Sequence, residues 1–164
     1  MDITIAPMAS DDDAAAFRTL NEQWVREYFT LEDEDRRQLG DPVGAYIEPG
    51  GEILIAKAGG RAVGCVAIVP DGAGAWELSK MAVSPELRGQ GLGRRILAAA
   101  IATARERGAT SMFLGSSKRL ANAVHLYEAL GFEHVPPESI HMPYDRADVF
   151  MRLELGARSG AASG

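Results

Sequence analysis

The chain has 164 residues, 46% hydrophobic and 24% charged, which suits one soluble domain with its own apolar core. A net charge of -6 and a pI near 5.1 argue against a nucleic-acid partner held by a general basic surface, and no apolar run approaches membrane-spanning length. One cysteine, Cys65, excludes an internal disulfide or a cysteine cluster for zinc, and within Val63-Gly64-Cys65-Val66 it reads as a small buried side chain.

The start, Met1-Asp2-Ile3-Thr4, lacks the basic residues of a signal peptide, so the expected location is cytoplasmic. Ile3 to Ala6 reads as a short strand. Ser10 and Asp11 to Asp13 supply capping oxygens for a helix from about Asp11 to Tyr28, in which Ala14, Phe17, Leu20, Trp24 and Tyr28 recur at steps of three or four. Leu31 to Leu39 is compatible with a second short helix, and the loop bracketed by Gly40-Asp41-Pro42 and Pro49-Gly50-Gly51 takes no assignment.

From Glu52 the period changes to that of strands. Ile53 to Lys57 and Arg61 to Val69 are joined by a tight Gly59-Gly60 turn, and Ala75 to Val83 follows the turn Asp71-Gly72-Ala73-Gly74, which makes an antiparallel meander. Leu92, Ile96, Leu97, Ala100, Ile101 and Ala104 then form one helical stripe that stops at Gly108. Ser111 to Gly115 is a short strand, and the strand, helix, strand order favours parallel pairing. A helix from about Lys118 to Leu130 ends at Gly131, Phe132 to Val135 resumes a strand broken by Pro136-Pro137, and Ala147 to Leu155 is the last strand. The domain thus runs over residues 1–155, with 156–164, rich in Gly, Ala and Ser, read as a disordered tail.

The most informative stretch is Arg88-Gly89-Gln90-Gly91-Leu92-Gly93 with Arg94 and Arg95, set between a strand and a helix. A dinucleotide fingerprint needs glycine at position 94, where Arg94 stands, and a Walker loop needs Gly-Lys-Ser or Gly-Lys-Thr, which is absent. What remains is Arg88-x-x-Gly91-x-Gly93, where missing side chains let backbone N–H groups approach an anion at the positive helix end. A tight turn without ligand meets the same spacing. Arg94 and Arg95 favour the anion, because cations in a first helical turn oppose the macrodipole by roughly 0.3–1 kcal/mol each, a cost that a bound polyphosphate reverses.

Together with Leu126-Tyr127-Glu128-Ala129-Leu130-Gly131-Phe132, this stretch resembles the GNAT family of N-acetyltransferases. The resemblance covers roughly a third of the chain and is specific as a pair of motifs. It implies an α/β fold, a mixed and mostly antiparallel central sheet flanked by helices, with a parallel strand pair where acyl-coenzyme A binds. It also implies a pyrophosphate cradle of backbone N–H groups from Gly89, Gln90, Gly91, Leu92 and Gly93, with Arg88 shaping the loop or meeting the anion and Arg94 beside it. Met81, Ala82 and Val83 are implied to lie along the pantetheine arm, with Met81 and Val83 pairing through their main chain as though with an added strand. Many members carry asparagine seven residues before the tyrosine. Here that position is Leu120, and Asn122, five before it, is the cofactor-binding candidate.

Tyr127 shares a helical face with Leu120, Ala123, Val124 and Leu130, so spacing alone makes it a core aromatic, while the resemblance makes it the acid that meets the departing thiolate. The attacking amine must be neutral, and Glu77 is the candidate base, on a strand whose alternation gives Glu77, Ser79 and Met81 one common face. A solvent-facing strand glutamate fits Glu77 as well. Oxyanion stabilisation is assigned to a backbone N–H near Met81 or Ala82. By the same analogy Trp24, Tyr28, Phe29 and the loop holding Tyr46 border the acceptor, although core packing explains Trp24 equally well. Tyr144-Asp145-Arg146-Ala147-Asp148 reads as a polar turn ahead of the last strand, with contact to the acceptor as its alternative. His125, His134 and His141 show no metal spacing, and no metal is expected.

The resulting expectation is transfer of an acetyl group from acetyl-coenzyme A to a primary amine of a small molecule or protein, by direct attack in a ternary complex. The alternative is a non-catalytic acyl-coenzyme A binding or sensing module. Neither nucleic acid nor membrane is an expected partner, and a homodimer is left open.

Overall fold

Alternating apolar residues between glycine turns produce a seven-stranded sheet, seen in a computed structural model that describes residues 2–140 and 146–156. Its strands are β1 (Ile3–Pro7), β2 (Glu52–Ala58), β3 (Arg61–Pro70), β4 (Ala75–Val83), β5 (Ser111–Ser116), β6 (Glu133–His134) and β7 (Val149–Glu154). They lie in the order β1-β2-β3-β4-β5-β7-β6. Among the described residues only β4 and β5 pair in parallel, because the helix between them returns the chain to the same end of the sheet. His141, Tyr144, Asp145 and the tail from 157 onward lie outside the described residues.

The helices are α1 (Asp11–Tyr28), α2 (Asp33–Gly40), α3 (Leu92–Glu106) and α4 (Ala121–Ala129). Ser10 caps α1 as its spacing predicts, its hydroxyl accepting from the Asp13 N–H at 3.1 Å. Phe17, Leu20 and Val25 of α1 and Leu39 of α2 pack on Ile53, Ile55, Cys65 and Ala67 on one sheet face. The other face buries Val66, Ile68, Trp76 and Leu78 against Ile96, Leu97 and Ala100 of α3 and Val124 and Tyr127 of α4. Each fully buried aliphatic side chain here contributes about 1.5–3 kcal/mol. Among the described residues no helix is long and apolar enough to cross a membrane.

Two elements differ from their sequence patterns for local reasons. The helix expected from Lys118 begins at Ala121, because Ser117 takes the Arg119 N–H on its hydroxyl and the Leu120 N–H on its carbonyl, while Asp148 takes the Lys118 N–H. The unassigned loop after Asp41 forms a π-helical turn, Val43–Ile47, that buries Tyr46 edge-on against Phe17, with ring centroids 6.0 Å apart.

A bulge in β4 shapes everything downstream. Cys65 pairs with Ala82 and Ala67 with Ser79, so Lys80 and Met81 together oppose Val66. Lys80 takes up the extra residue at φ 56°, in the left-handed region. Trp76 and Leu78 belong to the α3/α4 face, but past the bulge Ala82 joins the α1/α2 face while Met81 and Val83 pack toward α3 and α4. The expectation of one common face for Glu77, Ser79 and Met81 is thereby corrected: a one-residue slip sends Met81 to the opposite face.

Gly51, where the π-helical turn enters β2, donates its N–H to the Tyr46 carbonyl at 2.8 Å. A Cβ there would collide with the Ile68 carbonyl oxygen and lie 2.7 Å from that of Tyr46, both backbone atoms. Gly51→Ala is expected to lower stability by about 3 kcal/mol, read as a lower urea midpoint at unchanged slope.

Candidate functional site

The sheet opens where β4 parts from β5. The two strands pair only over Ala75–Glu77 and Ser111–Phe113, after which β4 bulges at Lys80 and β5 continues with β7 as far as Ser116. Backbone that no longer pairs across this gap faces a cavity of about 110 Å³. Glu77, Ser79, Lys80 and Met81 form one wall, Leu114 to Ser117 the other, and Tyr127 reaches in from α4. Trp24 and Phe29 at the end of α1, with Arg146, complete it.

Three titratable groups lining the cavity are shifted from their ordinary values: Glu77, Tyr127 and Lys80, whose ammonium is pushed down by burial against the opposing pull of Asp35. Burial pushes the Glu77 carboxyl up to about 7, with the charge of Lys80 opposing the shift and those of Asp71 and Glu34 adding to it. Burial also pushes the Tyr127 hydroxyl up to about 12, and its ring meets Phe132 in a tilted edge contact at 5.9 Å. Cys65 stays outside the chemistry: burial raises its thiol to about 12, and it accepts from the Asn21 amide at 3.3 Å.

A second depression, of about 590 Å³, runs from Met81 and Val83 along the glycine loop to α4. Gly89 and Gly91 adopt φ of 78° and 84°, values open to glycine at no steric cost. Gly91 is the N-cap of α3 and no side chain caps that helix, so its first N–H groups are available to an external acceptor. Gly93, Arg94 and Asn122 line the same groove, with Arg119. This donor set, an uncapped helix start bordered by glycine backbone and arginines, fits a pyrophosphate.

Other sequence candidates sit differently. Ala82 and Leu92 turn their side chains into the core, leaving only main chain for a ligand, and the Gln90 amide donates to the Glu86 carbonyl. Arg88 is engaged: its Nη1 lies 2.8 and 2.7 Å from the two Glu27 oxygens, its Nε donates to the Val83 carbonyl, and its guanidinium covers Trp24 at 4.7 Å. Arg95 leaves the groove and donates to the Ile3 carbonyl. Tyr46 stands behind the cavity, where the Ser79 hydroxyl donates to its oxygen at 3.4 Å.

Sequence reasoning missed Lys80, Asp35 and Arg119, and read Arg146 as part of a polar turn, with contact to the acceptor as the alternative. A lysine in the apolar run Leu78 to Val83 was a visible irregularity, but its partner lies 45 residues away in sequence.

Comparison with known proteins bears on the whole architecture. Residues 13–132 match the family model described as the acetyltransferase (GNAT) family. An uncharacterized N-acetyltransferase of Schizosaccharomyces pombe is 33% identical over 158 residues, spanning 93% of this chain and 95% of that protein. Other N-acetyltransferase relatives align over 44 to 56% of their own length. A protein of Salmonella typhimurium solved with its cofactor acetyl-CoA superimposes with a TM-score of 0.73 at 26% identity, covering 94% of this chain and 95% of that one. A GNAT acetyltransferase of Staphylococcus aureus shares the fold at a TM-score of 0.86 and 18% identity, over 94% and 99% of the two chains. With both motifs flanking one opened sheet and the family match spanning the core of the domain, the chain is an acyltransferase and belongs to the acetyltransferase (GNAT) family.

Proposed function

We propose that this chain transfers an acetyl group from acetyl-coenzyme A to a primary amine, of a small molecule or of a protein, by direct attack in a ternary complex. The observation that carries the reading is the gap between β4 and β5, where Glu77 and Tyr127 line one cavity and Met81 connects it to the glycine-loop groove. Acetyl-coenzyme A supplies an activated acyl carbon and a thiolate leaving group. Backbone N–H groups at Gly89, Gly91 and Gly93 hold its pyrophosphate, and main chain at Met81 and Val83 aligns its arm.

Glu77 acts as the base. With its carboxyl near 7, it is partly ionised at neutral pH and accepts a proton from the incoming ammonium, directly or through water, so that a neutral amine attacks. Tyr127 serves the leaving sulfur. A hydroxyl near 12 facing a thiol whose ordinary value is about 8.5 makes complete transfer uphill by about 5 kcal/mol. Tyr127 therefore keeps its proton and donates a hydrogen bond that strengthens as charge develops on sulfur and the carbon–sulfur bond breaks, while the second proton of the attacking nitrogen passes to the departing thiolate through solvent. No side-chain nucleophile is required, since Cys65 is buried and protonated.

Arg88 acts by shaping the loop. Its bonds to Glu27 and Val83 tie the loop to α1 and β4 and hold the glycine backbone open to the groove.

Thiol release from acetyl-coenzyme A across a panel of amines tests the reaction, and a chain that binds the donor without turnover on any acceptor overturns it. Tyr127→Phe is expected to lower kcat by about 10–100-fold with little change in KM for acetyl-coenzyme A; unchanged turnover removes Tyr127 from the mechanism. For the wild type, kcat/KM should rise with pH through about 7 as Glu77 loses its proton, and Glu77→Gln should abolish that limb. Glu27→Gln should raise the acetyl-coenzyme A KM by about two- to fivefold, whereas tighter binding would mean that Glu27 withholds Arg88 from the anion.

A further inference from the structure

The β4 bulge is built on a residue ill suited to it. Left-handed backbone costs a non-glycine residue roughly 1–2 kcal/mol, and glycine is the usual occupant of such a bulge. Here the position is Lys80, whose side chain is only 5% exposed. Its ammonium donates to Asp35 Oδ1 at 2.8 Å, and Asp35, on α2, is fully buried.

Asp35 accepts three further hydrogen bonds. Arg146 donates to its two oxygens at 2.7 and 2.8 Å, and the Glu32 N–H donates at 2.9 Å. Arg146 also meets Glu32 at 3.2 Å, so two cations face two carboxylates. This cluster ties α2 and the chain before β7 to a single residue of β4. Its position matters because Glu77 lies on one side of the bulge and Met81 and Val83 on the other, facing opposite sides of the sheet.

Taking the proposed donor groove and the Glu77 base as given, we infer that Lys80, anchored by Asp35 and Arg146, is a positioning residue for acetyl transfer. It holds the bulge that turns Met81 and Val83 toward the donor while Glu77, in regular register before it, keeps the acceptor side, and it keeps a cation beside Glu77. The two roles separate by chemistry. A side chain of similar length without charge loses the anchor and keeps the backbone strain, so the strand relaxes toward regular pairing and Met81 and Val83 lose their orientation. Glycine loses the anchor and the charge, but adopts the left-handed conformation unaided.

The charge role has a definite sign. Lys80 stabilises the ionised form of Glu77, while Asp71 in the preceding turn and Glu34 on α2 oppose ionisation. Tyr127 and Arg146 share the cavity, and Tyr46 feels the Glu77 charge from behind it. Removing the Lys80 cation therefore moves the Glu77 titration, and with it the rising limb of the rate profile, to higher pH.

The test compares wild type, Lys80→Met and Lys80→Gly by acetyl-coenzyme A affinity, measured calorimetrically, and by the pH dependence of kcat/KM. Lys80→Met is expected to weaken acetyl-coenzyme A binding by about tenfold and to shift the limb upward. Lys80→Gly is expected to bind within about twofold of wild type, yet to show the same upward shift. A Lys80→Met protein with wild-type affinity and an unmoved limb overturns the inference, as does a Lys80→Gly protein that loses as much affinity as Lys80→Met. A merely structural lysine would lower the melting temperature of both variants and leave both readouts in place. If wild type itself releases no thiol with any amine, the proposed reaction fails, and the affinity comparison still decides what Lys80 does to the groove.

Discussion

A strand in a sheet shows its side chains alternately to two faces, so residues of one parity, such as Glu77 and Ser79 on one side and Met81 and Val83 on the other, cannot face opposite sides unless its period breaks between them. In this chain the break is one residue long. Lys80 adds it, and the consequences run in both directions along β4. The strand pairs in parallel with β5 as far as Glu77, and from Leu78 through the bulge and beyond it stands apart from β5, bordering the cavity and groove. β5 does not follow, because its backbone is satisfied by β7 over all six residues from Ser111 to Ser116.

The charges that hold this bulge cost about as much as they contribute. Removing a carboxylate and an ammonium from water carries a penalty of several kcal/mol per ion, which Coulombic attraction and hydrogen bonds offset only when the geometry is complete. Asp35 meets that condition with four donors, and the Arg146 hydrogen bond and Lys80 charge outweigh burial and hold its carboxyl well below the usual range. Such an arrangement adds little net stability over an apolar core. What it supplies is uniqueness, since a buried ammonium at Lys80 tolerates no register of β4 that leaves it unpaired.

Most of the fold was legible because its signals are local. Capping oxygens at Ser10, glycine pairs at Gly59-Gly60 and Gly72 to Gly74, and apolar stripes in α1 and α3 each lie within a few residues of what they specify. The groove proposed for the donor was legible for the same reason: a glycine loop before an apolar helix is a continuous string, and its proposed ligand would be met by backbone. The side proposed for the acceptor was less so. Its electrostatics depend on residues 35, 77, 80 and 146, brought together by tertiary packing, and the period of β4 concealed the bulge because nothing in Ser79-Lys80-Met81 resembles the glycine that such a bend favours. Arg146 likewise read as part of a polar turn because its partner, Asp35, lies 111 residues earlier.

Two carboxylates on the same side of the sheet show how far environment separates identical chemistry. Asp35 is fully buried and Glu77 half-buried, and both feel Lys80, yet one is held ionised and the other is poised near neutrality. The difference lies in direct donors. Asp35 accepts from a backbone N–H, an ammonium and a guanidinium, whereas Glu77 has only the field of Lys80 to set against burial, with Asp71 and Glu34 adding repulsion. A carboxylate already saturated with donors has little basicity left to give, and one that is desolvated with few partners keeps it. The same lysine thus stabilises the charge that fixes the architecture and moderates the charge proposed to do the chemistry, which ties the basicity of Glu77 to the geometry of the strand that carries it.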